Sequence, residues 1–464
     1  MALRRTSTIG EPPSDPLGEA VAIALTDLVA GSAVELRYTP DGAGIPAAPE
    51  RIGTAMATGA GPPGWQTTLL VRLNDRISRL VDADHRTALA ELLDALPHAG
   101  MEAATSFRRR DGDPQAVGVT PALRRAVRDI VAARVLGRYL AARLTTRARP
   151  ELIAETIEFL IELSGTRVES HDLTHGVIVT DVLSHAPRLL LRYPADIRTA
   201  KRAPLLFDGQ RSVLVVDPEG RARTELVRHR FDRLAPGAAR APAGKDDDDW
   251  VESGSLVARA TGVLGGLGFY VRADRSIWTF VDGQPLLVRR GEHWTAFPLQ
   301  LSASIQNMIG GGSVAALVAR AAFMISTRPR GAILAIVEGP ADLEGVVSPK
   351  DRYDLRNHID PTAMQTETRL HHLIDAEPLD EDTLVRLAML DGATVLDREG
   401  RLLAYGAIVT SADSQFEGAR TAAARTLSET ALVVLRVSVD GDITVFRAGT
   451  AVTTLLGRPP GATT

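Results

Sequence analysis

The apolar pattern of this chain changes period near Gly165, and that change limits the folds open to it. Before Gly165, apolar residues recur at helical spacing, most clearly over residues 69–96, which predict a pair of amphipathic helices. Beyond Gly165, apolar and polar residues alternate, which predicts strands over 176–180, 211–217 and 276–281. Helices followed by strands indicate a mixed α/β (α+β) protein and exclude an all-helical or all-β chain.

The length of the chain requires more than one domain. Its 464 residues are about three times a typical ~150-residue domain, so two or three hydrophobic cores are expected. The pattern predicts a largely flexible segment 1–63 with one short helix, a helical region 64–165, a β-rich module 166–310 with an exposed loop at 235–249, a C-terminal mixed sheet with flanking helices at 311–455, and a tail 456–464.

Charge and cysteine content exclude several classes of function. The net charge is −4 and there is no cysteine, so neither a basic surface for nucleic acid or membrane nor disulfide, thiolate or cysteine–metal chemistry is expected. The apolar stretch 314–325 contains Arg320 and is too short to cross ~30 Å of hydrocarbon. We therefore expect a cytoplasmic protein with no membrane partner and no nucleic-acid partner.

Turn chemistry predicts where the strands reverse. Glycine accompanied by Asp, Pro or Arg separates β-prone runs at 217–220, 282–283, 290–291, 398–400 and 440–441. The four successive aspartates that precede Trp250 lie in a stretch rich in Pro and Gly, so 245–249 is the expected site of limited proteolysis in the middle module.

Three motifs in the last third carry a resemblance to a known family. They are the strand 331–334 (GAIL), the segment 390–393 (LDGA) and the segment 418–429 (GARTAAARTLSE). Their order, with the last falling in ungapped register on the family pattern Gly-Thr-Arg-His-Arg-Ala-Ala-x-Gly-Leu-Ser-Glu, resembles the diadenylate cyclase domain of DNA integrity scanning proteins. The similarity covers about 313–449.

The resemblance implies a nucleotide site and its residues. In that family, the strand lies beneath the adenine, the Asp-Gly-Ala motif contacts the ribose and a divalent ion, and the arginine motif binds phosphates. Carried over to this chain, the nucleotide-binding positions are Gly331, Ala332, Leu334, Asp391, Gly392, Ala393, Gly418, Arg420, Thr421, Ser428 and Glu429. Asp391 is the implied ligand of Mg²⁺ or Mn²⁺ and the implied catalytic residue of an active enzyme.

Two departures from the family motifs bear on activity. Arg420-Thr421-Ala422 stands in place of Arg-His-Arg, and Leu390 stands where the family usually has His. Loss of one phosphate-binding guanidinium slows a reaction that develops charge on phosphate by a factor on the order of 10²–10³. The leading hypothesis is therefore a nucleotide-binding sensor that responds to ATP or a nucleotide-derived signal and has weak or no catalytic activity.

Two other hypotheses remain open. One is an active diadenylate cyclase that makes cyclic di-AMP from two ATP molecules, for which two domains must face each other, as in a homo-oligomer. The other is a structural scaffold that binds nothing. The sequence shows no effector.

Several other polar segments have a structural interpretation. We expect Arg228-His229-Arg230 to be a solvated strand end, 262–268 a turn, Ser313 a helix N-cap after 310–312, and His371-His372 part of a polar insert. Arginines at 124, 125, 128, 134, 138 and 143 predict a solvated helix face.

Overall fold

The computed structural model describes most of the chain. The described residues are 4–7, 11, 13–29, 32–43, 54–73, 86–111, 120–168, 171–182, 191–199, 203–234, 256–272, 275–296, 305, 308–309, 314–326, 330–358, 366–377, 379–409, 418–439 and 442–455. Helices and mixed sheets alternate through them, so the α/β class expected from the sequence is confirmed.

The N-terminal part is a four-stranded sheet covered by helices. Its elements are β1 (Arg4–Ser7), α1 (Pro16–Leu28), β2 (Ser32–Pro40), β3 (Thr54–Ala60), β4 (Trp65–Leu73), α2 (Arg86–Asp111), α3 (Pro121–Arg143) and α4 (Leu152–Ser164). The strand order is β1-β2-β4-β3, with β1 parallel to β2 and the other pairs antiparallel. Apolar residues of α1, α2 and α3 form one core with the sheet.

This sheet corrects two predictions. Segment 1–63 contains three paired strands besides its helix, where a largely flexible segment was expected. Leu69 and Leu73 lie on strand β4 and not on a helix. Their spacing of four residues places two side chains on one face of a strand as well as of a helix, and pairing of β4 with strands on both sides decides in favour of the strand.

Helix α3 begins as predicted, with Thr120 accepting a hydrogen bond from the Leu123 amide and Pro121 in the first turn. The prediction of a solvated arginine face holds for Arg124 and Arg125, which are exposed, but needs correction for the others, which are half-buried. Several of these arginines form ion pairs with other elements. The pairs and their N–O distances are Arg128–Asp27 (2.7 Å), Arg138–Glu102 (2.8 Å), Arg143–Glu91 (2.8 Å), Arg143–Asp282 (2.7 Å) and Arg125–Glu292 (2.6 Å). The face joins α3 to its neighbours.

The middle part is built on an eight-stranded sheet. Its elements are β5 (Arg167–Val168), β6 (His171–Asp172), β7 (His175–Val179), β8 (Leu191–Arg192), α5 (Ala195–Thr199), α6 (Ala203–Leu206), β9 (Ser212–Val216), β10 (Arg221–Val227), α7 (Arg228–Leu234), α8 (Leu256–Leu264), β11 (Leu267–Val271), β12 (Ile277–Val281), β13 (Gln284–Arg290) and β14 (His293–Ala296). The order is β14-β13-β12-β11-β7-β9-β10-β8, and only the β7–β9 pair is parallel within the described strands.

The C-terminal part is a six-stranded mixed sheet with helices on both faces. Its elements are α9 (Val314–Ser326), β15 (Ala332–Val337), α10 (Thr366–Arg369), α11 (Glu381–Ala388), β16 (Ala393–Asp397), β17 (Leu402–Ala407), α12 (Ala419–Thr430), β18 (Val433–Val437), β19 (Ile443–Arg447) and β20 (Thr450–Leu455), with 3₁₀ turns at Pro340–Leu343, Pro349–Asp351, Arg356–His358 and Leu370–Leu373. The order is β17-β16-β15-β18-β19-β20, and β15–β16 is parallel. Residues of α9 and α11 pack on one face, and those of α12 on the other.

Three of the turn predictions are confirmed, since residues 217–220, 282–283 and 398–400 are hairpin tips. The turn predicted at 290–291 lies one residue later, at 291–292, because Arg290 still pairs with His293 as the last residue of β13. Residues 440–441, the loop 235–249 with its expected cleavage site, and Ser313 with 310–312 lie outside the described residues.

Two of the structural interpretations need correction. Arg228-His229-Arg230 begins α7 directly after β10 and is not a strand end. The segment 262–268 is a turn only at Gly265 and Gly266, because Gly262 lies in α8 and β11 begins at Leu267. His371 belongs to the polar insert, as expected, although its side chain is buried.

The middle and C-terminal sheets repeat one topology. In the middle sheet, the hairpin β9–β10 pairs through β9 in parallel with β7, and β7 pairs antiparallel with the first strand of the meander β11–β13. In the C-terminal sheet, the hairpin β16–β17 pairs through β16 in parallel with β15, and β15 pairs antiparallel with the first strand of the meander β18–β20. The registers coincide as well: the pairs Val271–Ile277, Gly268–Phe280, Trp278–Val288 and Phe280–Pro285 correspond to Val437–Ile443, Val434–Phe446, Thr444–Thr454 and Phe446–Ala451. Every residue number in the second set exceeds its counterpart by the same amount.

Backbone details repeat with the topology. The β12–β13 turn has positive φ at Asp282 (53°) and Gly283 (80°), and the β19–β20 turn has it at Ala448 (48°) and Gly449 (70°). The hairpin tips read DPEGR at 217–221 and DREGR at 397–401, and in both the aspartate accepts a 2.8 Å hydrogen bond from the arginine amide. We call residues 152–296 the middle copy and 314–455 the C-terminal copy.

Candidate functional site

The motifs of the C-terminal copy meet at one end of its sheet. Strands β15 and β16 are parallel and in register, Ile333 beside Ala393, so the residues before both strands lie at the same edge. Strand β18 runs antiparallel to β15 and therefore ends there, with Val437 beside Ala332. Helix α12 begins at the same end, because its Arg420 reaches Asp391. We call this end of the sheet the motif edge.

Asp391 and Arg420 form an open ion pair at the motif edge. Arg420 Nη2 lies 3.5 Å from Asp391 Oδ1, and the two side chains are 46% and 88% exposed. Arg420 also passes over the backbone of Gly331, where a Cβ atom would lie only 3.1 Å from Arg420 Nη1. The absence of a side chain at Gly331 therefore leaves the space that the guanidinium occupies.

Gly392 brings the Asp391 turn against the neighbouring strand. Its φ of +101° is unfavourable for other residues, and a Cβ atom there would lie 2.5 Å from the carbonyl carbon of Gly406. Both facts require glycine, so the backbone that carries Asp391 is fixed by packing against β17. The Asp-Gly pair is thus more than a flexible turn.

A second arginine, which the sequence interpretation missed, lies beside this pair. Arg436 of β18 donates a hydrogen bond from Nη1 to Thr421 Oγ1 in the first turn of α12. Thr421 in turn donates its amide to the Gly418 carbonyl, at 2.8 Å. The indication in the sequence was a lone arginine within the apolar run 432–437.

Some of the implied binding residues lie elsewhere. Ala332 and Leu334 are buried in the core beneath α9, on the face of the sheet away from α12, and Ala393 is fully buried beneath α12. Ser428, also buried, accepts a hydrogen bond from the Gly449 amide, and Glu429 lies beside the same glycine.

Ser428 and Glu429 are about 12 Å along α12 from Arg420, at a rise of about 1.5 Å per residue. The motif edge therefore combines Gly331, Asp391, Gly392, Gly418, Arg420 and Thr421 with Arg436.

A divalent ion fits this site only together with an anionic ligand. Asp391 is a single exposed carboxylate, and no group of three or more His, Asp or Glu side chains suited to a metal occurs among the described residues. Mg²⁺ and Mn²⁺ take oxygen ligands, and Mg²⁺ is often held by one or two carboxylates plus phosphate oxygens and water. The donor set is compatible with an ion that arrives with phosphate.

The same place in the middle copy has different chemistry. Val213 in β9 is equivalent to Ala393 in β16, so Arg211 occupies the position that Asp391 has in the C-terminal copy. Tyr270 in β11 is equivalent to Arg436 in β18. The Tyr270 ring packs on Gly209, where a Cβ atom would lie 2.4 Å from Tyr270 Cδ2, and its hydroxyl accepts a 3.1 Å hydrogen bond from Gln210. The middle copy therefore lacks the carboxylate and has an aromatic ring in place of the second arginine.

Comparison with known proteins adds no relative. No family model, no curated protein and no solved structure matches the chain. Within the described residues, no helix is both long and apolar enough to cross a membrane.

Proposed function

We propose that the C-terminal copy binds a nucleotide at the motif edge and that the protein is a cytoplasmic nucleotide sensor with weak or absent diadenylate cyclase activity. The observation that supports this most directly is the convergence of Gly331, Asp391 and Arg420, the last in the first turn of α12, from three separate segments. These are the positions that the family resemblance implies for adenine, metal and phosphate. The lack of cysteine supports the cytoplasmic assignment.

Each residue has a distinct role in this proposal. Arg420 binds phosphate through its planar guanidinium, aided by the positive end of α12. Asp391 holds Mg²⁺ or Mn²⁺ jointly with phosphate oxygens, and the ion, when bound, neutralises phosphate charge. The ligand must separate the Asp391–Arg420 pair, which costs little because exposed pairs contribute only about 0–1 kcal/mol.

Weak turnover follows from position 422. Ala422 is 4% exposed and contributes no charge to the motif edge. Stabilisation of the charge that develops on phosphate is the main requirement of phosphoryl transfer, so a site lacking a family arginine favours binding over chemistry.

The test is nucleotide binding by the purified full chain with and without Mn²⁺, measured by calorimetry and thermal shift. We expect ATP to bind with one site per chain, because the middle copy has Arg211 and Tyr270 in the corresponding positions. Asp391→Ala and Arg420→Ala should each weaken binding by about 1–3 kcal/mol. Glu399→Ala and Arg447→Ala, which remove the same charges at the far end of the sheet, are the matched controls and should leave affinity unchanged.

Two outcomes would replace the proposal. A flat response to all nucleotides would favour a scaffold. Diadenylate synthesis from ATP and Mn²⁺ that is lost in Asp391→Ala would establish an active cyclase.

A further inference from the structure

We infer that Arg436 is a phosphate-binding residue on strand β18, which gives the site a second guanidinium at a position different from the one that the α12 motif lacks, and that the site accordingly prefers ligands with two or more phosphate groups. This inference rests on the proposed function, because it concerns the same site. It assigns to that site one more binding residue, which lies outside every motif identified in the sequence, and it specifies the class of ligand.

The position of Arg436 places its charge at the start of α12. It pairs with Ile333 across the β15–β18 ladder, and Val434, two residues earlier, packs in the core on the α12 side. The side chain therefore leaves the sheet on the α12 face, where Nη1 meets the Thr421 hydroxyl. Arg420 is the residue just before Thr421, so both arginines lie at the first turn of α12.

The partners of Arg436 leave room for an anion. Across the described part of the chain, Thr421 is its hydrogen-bonding partner, it forms no ion pair, and its buried Nε has no partner. A guanidinium has five N–H donors, and a half-buried one is normally paired with an anion. Phosphate oxygens match this geometry and can be bound in a bidentate manner.

The repeat provides an internal comparison. Tyr270 occupies the register of Arg436 in the middle copy, and its ring reaches Gly209 and Gln210, just before β9. A side chain at this strand position therefore reaches across the sheet toward the segment that carries Asp391 in the C-terminal copy. Arginine at the position makes the edge cationic, whereas tyrosine fills it.

Charge sets the class of ligand. The motif edge contains two guanidinium groups and a helix N-terminus but only one carboxylate, and that carboxylate requires a cation to meet phosphate. Each guanidinium suits one phosphate group, so a di- or triphosphate uses both and a nucleoside uses neither.

The experiment compares ATP, AMP, adenosine and inorganic tripolyphosphate, each with Mn²⁺, on the full-length parent and on Arg436→Gln. We expect the parent to bind ATP and tripolyphosphate. Arg436→Gln should bind both about 10- to 100-fold more weakly. Arg447→Gln, which removes an exposed arginine from the opposite end of the sheet, should bind like the parent. Arg436→Lys should recover part of the affinity, because lysine keeps the charge without the planar fork.

Each outcome is informative. If ATP binds equally to the parent and to a folded Arg436→Gln, the inference is overturned and the proposed function stands. If tripolyphosphate binding depends on Arg436 but ATP gains nothing over tripolyphosphate, the inference stands and the nucleotide assignment falls. If the parent binds none of the probes, both fall. If Arg436→Gln does not fold, the Arg436→Lys variant decides. The inference is overturned if this variant binds ATP as tightly as the parent and if the parent binds ligands with one or three phosphate groups equally well.

Discussion

Replacing Gly392 by alanine tests the packing that fixes Asp391. At φ +101°, an alanine would be strained by about 1–3 kcal/mol. Its Cβ would also meet the backbone of Gly406 and Ala407 at 2.5–2.8 Å, and relieving such overpacking costs about 1–3 kcal/mol more. We therefore expect Gly392→Ala to destabilise the β16–β17 hairpin by about 2–6 kcal/mol.

Hydrogen exchange measured by mass spectrometry is the suitable assay, because it reports local opening of the hairpin. A loss of 2 kcal/mol or more corresponds to exchange at least about 30-fold faster in peptides from β16 and β17, in the regime where exchange follows the opening equilibrium. Gly345→Ala is the control, since Gly345 also has positive φ (+77°) but a Cβ there would meet nothing within 4 Å. Equal effects of the two variants on their own segments would refute the argument from close packing.

Two further perturbations probe other parts of the molecule. Burial lowers the pKa of His371, so the unfolded chain binds a proton at a higher pH than the folded protein does. The stability contributed by neutral His371 is therefore complete above about pH 6.5 and declines as the pH falls below that value. Unfolding measured from pH 7.5 to 5 should therefore show a steeper loss of stability in the parent than in His371→Gln, and parallel curves would contradict this. Arg143→Gln, which breaks the link from α3 to Glu91 and Asp282, should cost about 1 kcal/mol in urea unfolding and less in 1 M salt, and a loss independent of salt would contradict an ionic origin.

Much of the fold was predictable where local chemistry decides it. Asp282-Gly283 has the residues for a two-residue turn with two positive φ angles, and the structure has that turn. The helix predicted at Leu69 and Leu73 is wrong because a four-residue spacing fits both regular structures, and only the pairing of β4 with β2 and β3 decides between them. The repeat is not apparent from the sequence, because it lies mainly in strand register. The two sequences agree at the DxEGR tips and at the I-x-x-F-x-x-G pattern of 277–283 and 443–449, but at few other positions.

The candidate site divides in the same way. Asp391 and Arg420 follow from motifs within continuous segments, and the structure brings them together. Arg436 belongs to no motif, and its contact with Thr421 depends on how α12 packs on the sheet. Ala332 and Leu334 belong to the same motif as Gly331, but successive residues of one strand face opposite layers, so a whole motif cannot line one surface.

Two copies of one topology in a single chain also present a problem during folding. Tandem units with similar strands can exchange partners and misassemble, which is a known failure of repeat and multidomain proteins. Here the equivalent strands have diverged where exchange would matter: β11 reads LGFYV and β18 reads VVLRV. If β18 took the place of β11, Arg436 would occupy the fully packed position of Tyr270, against Gly209 and away from Thr421. A charge placed for one site thus also opposes the wrong pairing.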